Sequence, residues 1–348
     1  MSYISVNENI QPPSLLKKKK IAGRAVLECD SFSSKCKDTN LQLRSSTEVN
    51  MISSQRKPVI EYSASGKGNE PTKLLQEQAH VDSKDPTGKT ALVWAVLKNR
   101  TDLVDLLLRS GADVNNVCSE GFTPLIYSTV IGNLIVTKHL LKRGANMNIR
   151  DLNGNTALVW AIICKHIEHM RLLINSGANL NLHDSEGRTA LMRAALSDRS
   201  DFVNLLLSSG ADVNSTCLEG RTVLMYSAFK GNQMESLLKA GGDISAKDKY
   251  GMTALMYAVL QKRTHLTKFL IHRGADVNSK CSGGKTALMY STADESCETI
   301  KCLVSMGANV NIKDSEGLTA LLWAVIHGND NCVKLLLDAR RIQCGNTV

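Results

Sequence analysis

Residues 151–181 read DLNGNTALVWAIICKHIEHMRLLINSGANLN, and this stretch contains the signals of a short helix pair. Gly154 lies where a turn needs a residue that tolerates positive φ, and the hydroxyl of Thr156 can cap the first amides of a helix. Two apolar stretches follow, about 158 to 163 and 170 to 174, and the second has helical spacing. The glycine of the closing segment SGANLN then ends the second helix. The stretch predicts two short helices and an extended exit to the next turn.

The same pattern returns along the chain at a fixed period. Its turn glycines are Gly88, Gly121, Gly154, Gly187, Gly220, Gly251, Gly284 and Gly317. Their spacing is 33 residues, except for 31 between Gly220 and Gly251, so the fifth unit is two residues short in its second helix. This period is typical of solenoids, in which a unit buries its apolar face only against a neighbour. We expect the short unit to bend the stack near 233 to 242.

The repeated motif G-x-T-A/P-L, a Leu-Leu second helix and the ending G-A-D/N-V-N together resemble the ankyrin repeat over about residues 85–348. The resemblance implies an all-α repeat solenoid of stacked helix-turn-helix units with hairpin loops, about eight to nine in number. One position departs from the family, because an apolar residue stands where the family usually has the histidine of T-P-L-H. These residues are Val93, Ile126, Val159, Met192, Met225, Met256, Met289 and Leu322. We expect apolar packing to replace the hydrogen bonds of that histidine.

The chain divides into three predicted segments. Residues 1–56 are rich in Ser, Asn and Lys without a periodic apolar pattern, which predicts a disordered basic N-terminal tail. Residues 57–84 resemble the second half of a unit and predict a degenerate N-terminal capping repeat. Residues 85–348 form the predicted ankyrin repeat domain of eight repeats, the fifth being two residues short. The last repeat lacks a polar cap helix, so we expect either that its final helix frays or that a partner or second copy covers it.

The triplet Gly-Lys-Thr at 88–90 and again at 284–286 imitates the end of a phosphate-binding loop. Such a loop needs a glycine five residues before its second glycine, and those positions hold Ser83 and Ser279. In other units the lysine position is filled by Phe, Asn, Arg, Met or Leu. We therefore interpret the triplet as part of the repeat and expect no nucleotide cofactor.

The chain has 42 basic and 33 acidic residues, a net charge of +9, and ten cysteines without a C-x-x-C pair. We expect His166 and His169 to lie in the turn between two helices, without cysteine nearby, and therefore expect no zinc site. We find neither a secretory signal nor an apolar run of membrane length. We expect a cytoplasmic location, with nuclear entry through the basic run after Leu15 as an open alternative.

Two types of unit differ at one loop position, three residues before the turn glycine. Cysteine occupies it in three units and aspartate in five, as Cys118, Cys217, Cys281, Asp85, Asp151, Asp184, Asp248 and Asp314. The cysteine units also share Tyr-Ser in the first helix. Duplication of multi-repeat blocks accounts for this alternation. A functional alternative is that the cysteines are thiols on exposed loop tips that sense redox conditions.

Two columns of side chains mark one side of the first helices. The first column contains all three tryptophans and consists of Trp94, Tyr127, Trp160, Arg193, Tyr226, Tyr257, Tyr290 and Trp323. The second lies one helical turn later and consists of Leu97, Val130, Ile163, Leu196, Phe229, Leu260, Ala293 and Ile326.

These columns allow two interpretations. The rings of the first column either fill the seams between neighbouring first helices, or their edges face a groove and bind an apolar segment of a partner. The resemblance implies such a groove, because ankyrin partners usually lie on the concave face lined by loops and first helices. In that case Arg193 is predicted to bind an acidic group of the ligand.

No catalytic triad, metal cluster or paired carboxylate recurs outside the repeat columns. We predict a non-enzymatic scaffold or adaptor that binds another protein on the concave face, without a cofactor, small-molecule substrate or membrane. One alternative is a nucleic-acid-associated or nuclear regulatory protein that acts through the basic tail. Another is an inhibitor or substrate-receptor subunit of a larger enzyme complex. We do not expect the repeats to bind nucleic acid, because their acidic and basic residues interleave, and self-association through the last repeat stays open.

Overall fold

The computed structural model describes residues 81–197, 199–293 and 297–345, and within these ranges it contains sixteen helices and no strand. The helices form eight consecutive pairs. The first helices are α1 (Ala91–Leu97), α3 (Pro124–Ile131), α5 (Ala157–Ile163), α7 (Ala190–Leu196), α9 (Val223–Lys230), α11 (Ala254–Leu260), α13 (Ala287–Ser291) and α15 (Ala320–Ile326). The second helices are α2 (Thr101–Arg109), α4 (Leu134–Lys142), α6 (Ile167–Asn175), α8 (Ser200–Ser208), α10 (Met234–Lys239), α12 (Thr264–His272), α14 (Glu298–Ser305) and α16 (Asp330–Gly345).

Each first helix begins after the threonine of the repeated motif. In α3 the hydroxyl of Thr123 accepts a hydrogen bond from the amide of Ile126 at 3.2 Å, and Pro124 takes the first helical position. Proline fits there because the missing N–H has no partner inside the helix. Five other first helices have the same side-chain cap, whereas those that follow Thr222 and Thr286 do not. The predicted start of the helix pair is therefore confirmed.

A left-handed glycine ends the second helices. After α4, Gly144 has a φ of 83°, and its N–H and that of Ala145 donate to the carbonyls of Leu141 and Leu140 at 3.0 Å. These are the two bonds of a Schellman motif, which satisfies carbonyls at the helix end. The corresponding position of the eighth pair is Arg340, and α16 runs on for sixteen residues where α4 has nine.

The loops between consecutive helix pairs, which we call fingers, hydrogen-bond to one another. The N–H of Leu152 donates to the carbonyl of Glu120, and the N–H of Ser185 donates to that of Asn153 at 2.9 Å, with one such bond at each finger junction. This approach needs glycine, because a Cβ on Gly121 would lie 2.6 Å from the nitrogen of Leu152. A Cβ on Gly317, in the last described finger, meets nothing within 4 Å. The turn glycines thus allow the fingers to stack.

Asparagine side chains make a second connection between neighbouring units. The Oδ1 of Asn115 accepts from the N–H of Asn146 at 2.7 Å, and the Oδ1 of Asn148 accepts from the N–H of Asn179 at 3.0 Å. Because these bonds join residues 31 apart in sequence, they fix these units to the next ones at a second point beside the finger.

The interior of the stack is apolar at the position where the family usually has histidine. Seven of its eight residues are at most 3% exposed, whereas Leu322 in the last pair is 44% exposed. The expected apolar packing is therefore confirmed wherever a following pair covers the position. The contrast shows that this side chain is buried by the next unit.

The structure leaves some sequence predictions untested. The tail at 1–56 and most of the capping repeat at 57–84 lie outside the described residues. Helix α10 is six residues long, which agrees with the shortened fifth unit, but the bend near 233 to 242 stays a prediction. In the part of the chain that the structure describes, no helix is long and apolar enough to cross a bilayer.

The eighth helix pair is fastened to the seventh by two features. The side-chain amide of Gln343 accepts from the N–H of Val310 at 3.2 Å and donates to the carbonyl of Ala308 at 2.9 Å. Cys297, just before α14, is disulfide-bonded to Cys332 in α16, with both side chains buried. These contacts join the last described helix to the preceding pair, while the alternatives that its end frays or that a partner covers it stay predictions.

Reduction of the Cys297–Cys332 disulfide should destabilise the eighth pair. The bond closes a separation of 35 residues, and loss of such a constraint costs typically about 2–4 kcal/mol. We expect dithiothreitol to lower the urea midpoint of the chain and to speed hydrogen exchange in α16. The double variant Cys297→Ser/Cys332→Ser should show this lower midpoint without reductant and no further response to it. An unfolding curve unchanged by reductant would contradict the prediction.

Helix α6 contains a buried histidine. His169 is 4% exposed, and its Nε2 has no hydrogen-bond partner among the described residues. Burial, together with the neighbouring His166, lowers the pKa of His169 from about 6.5 to about 4. The sequence placed this residue in the turn between helices, which is wrong, because only His166 lies there. The folded chain therefore keeps His169 neutral.

Acidification should destabilise the fold through His169. The unfolded chain takes up a proton near pH 6.5 and the folded chain only near pH 4, so this contribution to stability is lost as pH falls through that window. The variant His169→Leu, which copies Leu103 and Leu266 at the equivalent position, should show a smaller loss between about pH 7 and about pH 5. Urea unfolding at both pH values measures this. His327, whose pKa burial also lowers, is present in both proteins, so equal losses would contradict the prediction.

Candidate partner-binding surface

In the aspartate units, the loop aspartate joins the finger to the first helix. The Oδ1 of Asp151 accepts from the amides of Asn153 and Asn155 at 2.9 and 2.8 Å, which closes the finger turn. Its Oδ2 accepts from the indole N–H of Trp160, nine residues later, at 2.9 Å. Trp94 and Trp323 bind their own loop aspartates in the same way. One carboxylate therefore fixes both the conformation of the finger turn and the orientation of the indole ring.

The cysteine units make a corresponding contact with different chemistry. Cys118 and Tyr127 are 3.4 Å apart between Sγ and the phenol oxygen, and the pairs in the other two cysteine units lie at 3.4 and 3.3 Å. Burial and the contact with Cys118 raise the pKa of Tyr127, so the phenol keeps its proton. The two sequence types are thus two versions of one loop-to-helix contact.

The loop cysteines are not the exposed thiols expected for redox sensing. Cys118 and Cys217 are each 6% exposed, and Cys281 is half-buried against Tyr290. The prediction placed them on exposed tips because the finger is a surface loop. In the structure this position faces inward, toward the first helix, and the tips are the next two residues.

Arg193 is bound inside the protein. Its Nε and one Nη donate to the Oδ2 of Asp184 at 2.8 and 2.6 Å, and Arg188 also contacts this carboxylate at 3.2 Å. Although burial raises the pKa of Asp184, the two guanidinium groups outweigh it and hold the pKa below its ordinary value. Arg193 is only 7% exposed. The prediction that Arg193 binds an acidic group of a ligand stays untested, and its contacts give it a structural partner instead.

The rest of the first column is also packed against neighbouring fingers. Trp160 contacts Phe122 of the preceding finger edge to face, with 5.2 Å between ring centroids. The Nε of Arg221 donates to the phenol oxygen of Tyr257 at 2.9 Å. Five column residues are buried, and Trp94, Tyr257 and Tyr290 are half-buried. This geometry favours the seam interpretation, while a role of these eight residues in partner binding stays a prediction.

The second column is the more open of the two, and we call it the finger-side row. Seven of its residues follow a first-column residue by one turn of the same helix and therefore share the side that contacts the fingers, whereas Ala293 lies just beyond the end of α13. Leu196 is buried, Leu260 is 38% exposed and Ile326 is 51% exposed, while most others are half-buried. The fingertips add Leu152 and Leu218, which are 75% and 73% exposed.

Stacked helix pairs with hydrogen-bonded fingers define a helical repeat solenoid. The sequence matches the family described as Ankyrin repeats (3 copies) over residues 60–151, 130–217, 210–281 and 267–347. The chain therefore belongs to the ankyrin repeat family. A comparison with curated proteins found no match. Ankyrin repeats generally bind other proteins and are typically non-enzymatic.

Among the residues that the structure describes, no group of three or more His, Cys, Asp and Glu side chains is arranged to hold a metal ion. The aspartates in the fingers instead accept hydrogen bonds from amides and from the first column. Their carboxylates therefore have a structural role in every aspartate unit.

The loop aspartate should contribute more to stability than the loop cysteine. Asp151→Ala leaves two amides and one indole N–H without an acceptor, and each lost partner costs about 1–3 kcal/mol. Cys217→Ala at the equivalent position removes one weak sulfur contact and keeps the backbone turn, so we expect a cost of about 1 kcal/mol. Urea unfolding followed by circular dichroism compares the two. Equal shifts of the midpoint would show that the carboxylate does not organise the finger.

Proposed function

We propose that the protein is a non-enzymatic scaffold or adaptor that binds another protein through the finger-side row and the fingertip leucines. The observation that supports it is a row of apolar side chains, one for each helix pair, that the stack leaves partly open in every pair except the fourth, where Leu196 is buried. Membership of a family that generally binds proteins agrees with this proposal.

The exposure of this surface is a physical argument for a partner. Single exposed apolar residues are common on proteins, but contiguous ones mark interaction sites. Leu152 and Leu218 lie at the tips of fingers two units apart and are both largely exposed. Burying a leucine fully against a partner contributes about 1.5–3 kcal/mol. A partner with a long apolar surface would therefore gain affinity from several units at once.

Exchange of the fingertip leucines should weaken binding without unfolding the chain. In the variant Leu152→Ser/Leu218→Ser both positions are largely exposed, so thermal unfolding should change little. Loss of two apolar anchors should weaken partner binding about tenfold or more. The matched control is Ile135→Ser, because Ile135 is 60% exposed on α4, a second helix.

Site-specific photo-crosslinking identifies the surface that is used. A photoreactive amino acid is placed at 152, 218 or 135 of the full chain, which is then incubated with native cell lysate and illuminated. We expect a product of one defined mass from positions 152 and 218, abolished by Phe229→Ser, and none from position 135. Crosslinking from position 135 alone would move the binding surface to the second helices and contradict the proposal.

A further inference from the structure

The fifth helix pair, α9 and α10, lacks hydrogen bonds that the second pair, α3 and α4, makes at the same positions. In the second pair, the hydroxyl of Ser128 donates to the carbonyl of Leu125 and contacts the hydroxyl of Thr137, both at 2.9 Å. Ser227 of the fifth pair is equally buried, but its hydroxyl has no hydrogen-bond partner among the described residues. When α4 and α10 are aligned on their Leu-Leu pairs, Thr137 corresponds to Met234, which has no hydroxyl. A buried hydroxyl without a partner destabilises the folded state.

The turn that leads into α10 also lacks the cap that begins α4. The Oδ1 of Asn133 accepts from the N–H of Val136 at 3.0 Å, whereas the Oδ1 of its counterpart Asn232 has no partner in the described part of the chain. Because the fifth unit is two residues short, the cap position of α10 falls on Gln233, which has a left-handed φ of 57° and makes no side-chain cap. This conformation is sterically unfavourable for a residue other than glycine. Helix α10 therefore begins at a weaker turn than α4 does.

The fingers and first helices remain connected across the fifth pair. The N–H of Leu218 donates to the carbonyl of Glu186 in the preceding finger at 3.1 Å, and the carbonyl of Glu219 accepts from the next finger at 3.0 Å. Helix α9 also packs against α7 and α11. On the side of the second helices, Glu235 of α10 forms an exposed ion pair with Arg273 at 3.6 Å, and such pairs contribute little to stability. The stack is thus continuous along the fingers and first helices, and weakly supported at α10.

We propose that α10 is a hinge, which opens by local unfolding while the four helix pairs before it and the three after it stay folded. In a solenoid each unit contacts only its neighbours, so its local stability combines its own stability with that of its two interfaces. Regions of low local stability open without global unfolding. Because the fingers and first helices stay connected, the two parts of the stack bend about α9 when α10 opens. The inference does not use the finger-side row, so it and the proposed function can fail separately.

Hydrogen exchange in the full chain, measured by mass spectrometry of peptic fragments, tests the opening. We expect amides of α10 to exchange about tenfold or more faster than those of α4 and α12. The variant Ser227→Ala, which copies Ala95 at the equivalent position, removes the unpaired hydroxyl and should slow exchange in α10 about fivefold. The matched variant Ser128→Ala removes a hydroxyl that has two partners and should speed exchange in α4. Exchange in α10 as slow as in α4 and α12, or the same direction of change in both variants, would overturn the proposal.

Pulsed electron paramagnetic resonance tests the bending. Spin labels on non-natural amino acids are placed at 208 and 305, the exposed last residues of α8 and α14, which lie three units apart on either side of α10. The control pair, 109 and 208, occupies the same helix position and is also three units apart, but it does not span α10. We expect a broader distance distribution for 208 and 305 than for the control pair.

Insertion of Ile-Val between Gln233 and Met234 gives the spin-labelled chain a repaired hinge. It restores the 33-residue unit and copies residues 135–136 of α4. The insertion should narrow the distribution for 208 and 305 to the width of the control pair and leave the control pair unchanged. Equal widths before the insertion, or a broad distribution that the insertion does not narrow, would refute the hinge.

Discussion

Each first helix of this protein is tied to its own finger by one contact between the loop residue and the residue nine positions later. In Asp151 the same carboxylate closes the finger turn and accepts from the Trp160 indole. The finger is thereby fixed above the helix it leads into. Since all fingers are placed in this way, their backbones come within hydrogen-bonding distance of one another. The stacked rings, the buried core and the open row beyond it all depend on that placement.

This contact also explains why the most aromatic column of the sequence is not its most accessible one. Trp160 and Tyr226 direct their polar ends to the loop residue of their own unit, so their rings lie against the seam. One turn later the apolar side chain has no polar partner in the finger, and in every unit but that of Leu196 it is left at least partly exposed. The more accessible apolar side chains are thus displaced by one helical turn from the aromatic residues that interface composition alone would select.

Much of the fold could be read from the sequence because its determinants are local. The capping threonines, the turn glycines and the apolar position that replaces histidine each act within one unit or on the next one. The loop position and the first column were also visible, and so was their constant separation of nine residues. What the pattern did not show is that they touch, because contact depends on how the finger folds back over the helix.

The bond between Cys297 and Cys332 joins two units that differ from the others at both positions, and nothing in the repeat predicts it. Similarly, the replacement of the helix-ending glycine by Arg340 was visible in the sequence, but the docking of Gln343 required the structure.

The loop-to-helix contact has a consequence for how such a chain can evolve. Aspartate is found opposite tryptophan, arginine or tyrosine, whereas cysteine is found opposite tyrosine alone. A carboxylate accepts strongly from any of these donors, whereas a thiol is a weak acceptor and leaves an indole or a guanidinium poorly satisfied. A change from aspartate to cysteine is therefore neutral only in a unit that already carries tyrosine. Mutational paths between the two unit types should pass through the Asp–Tyr combination, which repeat six of this chain still contains.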